Sequence, residues 1–169
     1  MTSAKKLVPA PAWGHASGLL KIGRDAVLEP EQLADRLAII DRMYRYAWSF
    51  DERQLEMLTD CFAKDATWEA HLTGTSTIGP FVGRVVVVAF MSSCWADQLV
   101  QRRHLIMNAV VEDQSADEAT LLTYHLLVST TKDTGVVPVT TGFYRVRMNK
   151  SAKGHWRIHS LIAGYDVPF

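Results

Sequence analysis

From Arg103 onward the chain reads as four successive β segments, and this block constrains the fold more than any other feature. Arg103–Glu112, Ala119–Lys132, Val136–Met148 and His155–Tyr165 are rich in Val, Leu, Ile, Thr and Tyr, residue types that suit a pleated, half-buried surface. Turn formers divide them: Asp113-Gln114-Ser115, Asp133-Thr134-Gly135, and the stretch 150–154 ending in Gly154. Long β segments with short turns between them predict an antiparallel meander.

The first half of the chain has a different period. Pro30 and Glu31 open a helix whose Leu33, Leu37, Ile40, Tyr44, Ala47 and Trp48 fall at three- and four-residue spacing, the mark of one apolar face. Asp51 ends it, and Asp51 with Gln54 three residues on forms a capping-box pattern for a second, short helix carrying Leu55, Leu58 and Phe62. Thr67–Leu72 then reads as a strand and Thr73–Pro80, with Gly74 and Gly79, as a loop. Val85–Val88 has strand propensity, yet the apolar run continues through Met91 and resumes at Cys94 and Trp95, which is long for a strand. Periodicity leaves that element open between strand and helix. Residues 1–29, broken by Pro9, Pro11, Gly14, Gly18 and Gly23, read as an arm with a short strand around Leu19–Ile22, either disordered or pinned to a neighbouring surface. Helices first and strands last predict an α+β fold. The 169 residues are expected to form one domain over 30–169 beyond the arm.

Several function classes lose support at once. Lys and Arg number 18, as do Asp and Glu, so the net charge is zero. A nucleic-acid binder normally carries a basic surplus, and so does a polybasic membrane-surface protein. The longest apolar stretch, Val85–Met91, falls far short of the roughly 20 residues of a membrane span. No nucleic-acid or membrane partner is therefore expected. The two cysteines, Cys61 and Cys94, form no CxxC pair, which fits a reduced, cytoplasmic protein better than a disulfide-linked one. A neutral surface protects poorly against self-association, and Leu121, Leu122, Leu126 and Leu127 place apolar residues on both faces of one strand. A homo-oligomer, dimer or trimer, is expected.

No phosphate loop, nucleophile elbow or clustered metal-ligand motif is present, so neither a cofactor nor a metal is expected. The six histidines include no HExxH pair. What remains is a small acid–base set. Asp51 stands where two helices meet, either as a cap or as a catalytic carboxylate. His104 opens the first long strand, either partnered by backbone or acting as a base, with Asn108 four residues on and so expected on the same face. Tyr46 lies five residues before Asp51.

These residues carry a family resemblance. The stretch 37–65 resembles the opening of SnoaL-like and scytalone dehydratase-like proteins, members of the cone-shaped superfamily named after nuclear transport factor 2. The pattern there is a helix with Tyr, an Asp, a short helix and Phe-x-x-Asp; the chain supplies Tyr44, Tyr46, Asp51, Phe62 and Asp65. Phe81-Val82-Gly83 resembles the segment opening a third helix, His104 and Asn108 the start of the next strand, and Trp156-Arg157-Ile158 the last strand. The resemblance spans about residues 31–165 and implies three helices packed into a strongly curved, mostly antiparallel sheet around an apolar cavity. It also implies a helix from about Gly83 to Ala96.

Scytalone dehydratase, hexachlorocyclohexane dehydrochlorinase and bile-acid dehydratase resemble the chain at Asp51 and His104, and the last also at Tyr46. The chain has Thr131 near the place of scytalone dehydratase's second active-site histidine, and Tyr46 where the dehydrochlorinase has a cation. The resemblance thus implies neither substrate. It implies a cofactor-independent dehydratase or related lyase for a hydrophobic cyclic molecule such as a polyketide, steroid or aromatic. His104 would be the base, Asp51 its partner and Tyr46 a donor, with Trp68, Asn108, His125 and Tyr165 lining the cavity. A SnoaL-type cyclase or isomerase is the enzymatic alternative. A ligand-binding domain, or one like the small subunit of a ring-hydroxylating oxygenase, is the non-catalytic alternative.

Overall fold

Pro30 suits the first turn of a helix, because its locked φ is helical and its missing N–H would have no partner there. In the computed structural model, which describes residues 9–25, 27–73 and 76–168, a one-turn helix α1 (Trp13–Ala16) precedes the long helix α2 (Pro30–Asp51). The Glu29 N–H donates to Gln32 Oε1 at 2.9 Å and so satisfies one backbone group at the start of α2. The buried face differs from the expected stripe. Ile39, Met43, Tyr46, Ala47 and Ser49 point inward, whereas Leu37 is 70% exposed and Trp48 64%, with Leu33 and Tyr44 also exposed. Both stripes have helical spacing. The inner one is diluted by Ser49, whose hydroxyl bonds back to the Tyr46 carbonyl at 2.9 Å, so apolar content alone favours the wrong face.

Asp51 does not cap the next helix. That helix, α3 (Leu55–Cys61), has Gln54 at its N-cap and no side-chain cap. The expected capping box is absent because the Asp51 carboxylate is engaged elsewhere. β1 (Phe62–Leu72) begins directly where α3 ends. The segment expected as a loop carries an edge strand, β2 (Thr77–Val82), paired antiparallel to β1. Pro80 is tolerated there because an edge strand does not need every N–H. Gly83, at φ 88°, then turns the chain, with its N–H on the Ala66 carbonyl at 2.8 Å. The valine run is helical, as the resemblance implies: α4 covers Arg84–Asp97. Val87, Val88 and Met91 are buried on its inner side, and α4 packs on β1. Tertiary packing overrides the β-branched preference there.

The meander is as expected: β3 (Gln101–Glu112), β4 (Glu118–Thr131), β5 (Gly135–Lys150) and β6 (Trp156–Tyr165). The sheet order is β2-β1-β6-β5-β4-β3, antiparallel throughout except for the parallel β1–β6 pair. It is a curled, unclosed mixed sheet with the helices clustered against it, the expected cone-like α+β fold. Tyr144, Phe62, Ile39, Met43 and Leu161 fill the core between the layers. On the outward face of β4, Leu122 is buried within a single copy, whereas Tyr124 is exposed and Leu126 half-buried.

The described part of the arm is pinned. Trp13 donates its indole N–H to Asp166 Oδ1 at 2.7 Å, and its ring lies 5.0 Å from that of Phe143. Phe143 can lie there because its cross-strand partner is Gly164; a Cβ on Gly164 would stand 2.3 Å from the ring. No strand forms around Leu19–Ile22, since Leu20 donates its N–H to the Gly14 carbonyl at 2.9 Å instead of to a ladder. Residues 1–8 of the expected arm and Gly74 of the expected loop lie outside the described residues. Among the described residues, no helix is long and apolar enough to cross a membrane.

Candidate active site

The last residue of α2 and the fourth residue of β3 meet. Asp51 Oδ1 lies 2.6 Å from His104 Nδ1, and the other oxygen, Oδ2, accepts the His104 backbone N–H at 2.8 Å. One carboxylate thus holds the ring and the backbone of the same histidine, which fixes both position and tautomer. An ionised Asp51 accepts the proton of Nδ1, leaving Nε2 as a lone-pair base on the opposite edge of the ring. Both side chains are buried, 5% and 9% exposed for Asp51 and His104. Phe50 packs edge-on against the imidazole at 5.3 Å. Gln101 donates to the Asp51 carbonyl at 3.3 Å and steadies the helix end.

His104 forms part of the wall of a cavity of about 280 Å³, at the small end of ligand pockets. Tyr46, Phe50, Trp68, Ile78, Phe90 and Leu127 supply most of its apolar wall, and Cys94, Gln98, Arg102 and Tyr165 its remaining polar groups. Phe90 stacks on Phe81 at 4.0 Å and lies 5.0 Å from Trp68. Burial pushes the Tyr46 hydroxyl well above its usual pKa, with Tyr165 acting in the same direction. Tyr46 therefore stays protonated and is a donor at any neutral pH. The Trp68 indole N–H is buried with no hydrogen-bond partner among the described residues. A second cleft, about 400 Å³ beneath the arm, does not include Asp51 or His104.

The expected site residues separate into two groups. Asp51, His104, Tyr46, Trp68 and Tyr165 converge on one cavity. Burial raises the Tyr165 hydroxyl to about 12. Asn108 does not join them: it is exposed, at φ 54°, inside a bulge between Met107 and Val110. An extra residue in a strand breaks the two-residue alternation that would place it beside His104. His125 is buried in the core outside the lining residues. Its Nε2 donates to the Gly164 carbonyl at 3.2 Å, its ring stacks on Tyr144 at 4.4 Å, and its Nδ1 reaches no partner. Burial lowers its pKa to about 4.

Arg102, Gln98 and Cys94 also line the cavity and are not among the residues that the sequence singles out. Arg102 was legible by alternation, two residues before His104. Gln98 and Cys94 become neighbours only once α4 is known to be helical. Among the described residues, no group of three or more His, Cys, Asp or Glu is placed to hold a metal ion. Cys61 and Cys94 are both free thiols.

Comparison with known proteins adds three findings. The family model described as "SnoaL-like domain" matches residues 31–162. Similar folds occur in the beta subunit described for an aromatic-ring-hydroxylating dioxygenase of Novosphingobium aromaticivorans, at 22% identity and TM-score 0.70, covering 83% of this chain and 94% of that one. A Catenulispora acidiphila protein solved in complex with S-DNPA matches at 22% identity and TM-score 0.67, covering 79% of this chain and 95% of that one. ActVI-ORFA of Streptomyces coelicolor matches at 15% identity and TM-score 0.65, covering 77% of this chain and 96% of that one. At these identities the likeness is one of fold. No curated protein matches the chain.

Proposed function

The chain belongs to the SnoaL-like domain family, a small-molecule-binding fold, and from that premise we propose that it is a lyase of the dehydratase type acting on a small, hydrophobic cyclic molecule. The observation that carries this reading is the Asp51–His104 contact of 2.6 Å, buried at the wall of an apolar cavity. A histidine held only for packing has no need of a carboxylate on one edge and an open cavity on the other.

The steps follow from the groups present. A ring ketone bearing a β-hydroxyl enters the cavity, and His104 Nε2 removes a proton from the carbon beside the carbonyl. Asp51 stabilises the imidazolium that forms, as a buried carboxylate does in other histidine-based sites. Tyr46 donates to the carbonyl oxygen as charge gathers on it, and apolar walls strengthen that bond. The C–H electron pair becomes the new C=C bond as the C–O bond breaks. The imidazolium returns its proton to the departing hydroxyl, which leaves as water. A positioned base of this kind is worth roughly 10²–10⁴ in rate.

3-Hydroxy-1-tetralone tests this reading, since its dehydration yields fluorescent 1-naphthol. Naphthol formation above the buffer rate with the wild type, lost in His104→Ala, is the expected result. A buffer-level rate from folded wild-type protein across a panel of cyclic β-hydroxy ketones would sink the elimination chemistry.

Homo-oligomerisation is a further part of this reading. It is supported by the exposed Leu33, Leu37, Tyr44 and Trp48 on α2 and by Leu105, Met107 and Tyr124 on the outer face of the sheet. Sedimentation at micromolar concentration should give a dimer or trimer; a monomer counts against it.

A further inference from the structure

We infer that the cleft beneath the arm is a second binding site, and that it takes a small organic cation, an alkyl or quaternary ammonium, against the rings of Trp13 and Tyr124 with Asp166 as the counter-charge. The site shares no lining residue with the cavity at His104 and does not depend on the chemistry proposed there.

The sheet and the arm together set its walls. Tyr124 and Phe143 are cross-strand partners in β4 and β5, so both rings stand on one face of the sheet. Gly14 opens room from the arm side, as Gly164 does from the sheet: a Cβ on Gly14 would stand 2.7 Å from the Phe143 ring and 2.9 Å from Leu20. The two missing side chains let the arm press Trp13 onto Phe143. Phe143 is 4% exposed and only backs this wall. Trp13 is half-buried and Tyr124 is 52% exposed, so these two keep ring surface for a ligand. With Leu20 and Ile22 they line a cleft of about 400 Å³, within the size range of small-molecule pockets.

The charge in this cleft is negative. Asp166 is among its lining residues, and its carboxylate is fixed from two sides. Oδ1 accepts the Trp13 indole N–H at 2.7 Å and Oδ2 accepts the Thr141 hydroxyl at 2.6 Å. The Asp166 backbone N–H donates to the Thr141 carbonyl at 2.9 Å, which anchors the same residue a third time. Both side-chain donors are neutral, so the carboxylate is positioned without its charge being cancelled. Among the described residues no ion pair reaches Asp166, and no lysine or arginine lines the cleft. Lys21 lies between Leu20 and Ile22 in sequence but is exposed and outside the lining.

An aromatic face attracts a cation through its negative quadrupole, indole most strongly, and the attraction grows as water is excluded. Alkyl groups on the nitrogen suit apolar walls, while the fixed carboxylate supplies attraction that needs no N–H donor on the ligand. A metal ion fits less well, because Asp166 belongs to no group of three or more His, Cys, Asp or Glu. An anion would be repelled by Asp166.

The experiment titrates choline and its uncharged carbon isostere, 3,3-dimethyl-1-butanol, by isothermal calorimetry. The wild type should prefer choline by about tenfold or more. Asp166→Asn removes the charge at constant shape and should abolish the preference. Tyr124→Leu alters an exposed ring that the fold does not need. It should weaken choline about fivefold and leave the alcohol within about twofold. His104→Ala should change neither affinity, which separates this cleft from the cavity. Equal wild-type affinities, no choline binding, a preference that survives both cleft variants, or choline binding lost in His104→Ala would each overturn the inference, and none of them bears on the lyase reading. The wild type should also stay in solution when phosphatidylcholine vesicles are pelleted. Co-pelleting that Asp166→Asn abolishes would place the ammonium on a lipid headgroup and overturn its assignment to a free small molecule.

Discussion

His125 should make the fold sensitive to mild acid, and the size of the effect follows from its surroundings. Its ring is buried beneath Tyr144 and Tyr165, with one nitrogen on the Gly164 carbonyl and the other without a partner. Burial is the dominant influence and disfavours the charged form; the Gly164 carbonyl opposes it only in part, and the pKa falls from 6.5 to about 4. Such a drop corresponds to about 3 kcal/mol, at roughly 1.4 kcal/mol per tenfold change in proton affinity. Above pH 6.5 the ring is neutral in both states and stability is complete. As pH falls through 6.5 the unfolded chain takes up a proton that the folded protein refuses. Stability then declines by up to about 1.4 kcal/mol per pH unit until the folded ring protonates near pH 4. Urea unfolding followed by tryptophan fluorescence at several pH values between 7 and 4 measures this directly. His125→Gln keeps a donor for the Gly164 carbonyl and removes the titration. It should lose about 3 kcal/mol less than the wild type across that window, whatever its stability at pH 7. Parallel stability profiles for the two proteins would refute the reasoning.

Other perturbations test neighbouring parts of the structure. Gly164→Ala would drive a methyl to 2.3 Å from the Phe143 ring, which Trp13 holds in place from the other side. A cost of about 3 kcal/mol, the upper end for overpacking, should lower Tm by roughly 10 °C in a calorimeter. Tyr46→Phe removes the hydroxyl that donates to the developing oxyanion. It should lower kcat by roughly 10²-fold while the far-ultraviolet circular dichroism stays unchanged.

The sheet was far more legible than the helical face. Four β segments with Gly- or Asp-containing turns can be read from alternation and punctuation alone, and their bounds agree with the structure to within a few residues. α2 was legible as an element but not in its rotation, because Leu33, Leu37, Tyr44 and Trp48 form a richer apolar stripe than the one the core uses. Local pattern reports hydrophobicity, whereas burial is decided by which face meets the sheet. β2 was missed because Gly79 and Pro80 are turn formers wherever they occur, and only the pairing with β1 makes an edge strand of them. At the site, Asp51 and His104 were legible as a pair through resemblance, whereas spacing left each with a structural alternative. The carboxylate holds both the backbone and the ring of His104, so the cap reading of Asp51 falls on geometry. Asn108 was placed by an alternation that the bulge at residues 107–110 breaks. Nothing local marks a bulge when neither glycine nor proline occupies it.

The central claim is that Asp51 and His104 act as one unit in a proton transfer, and turnover in a double-mutant cycle tests it most directly. His104→Ala and Asp51→Asn should each lower kcat by roughly 10²–10⁴. The second acts through the tautomer, because an amide can accept less well at Nδ1 and allows Nε2 to carry the proton into the cavity. The double variant should turn over scarcely more slowly than the worse single one, since groups that act together are not additive. Losses that multiply in the double variant, or full turnover in His104→Ala, would contradict the claim.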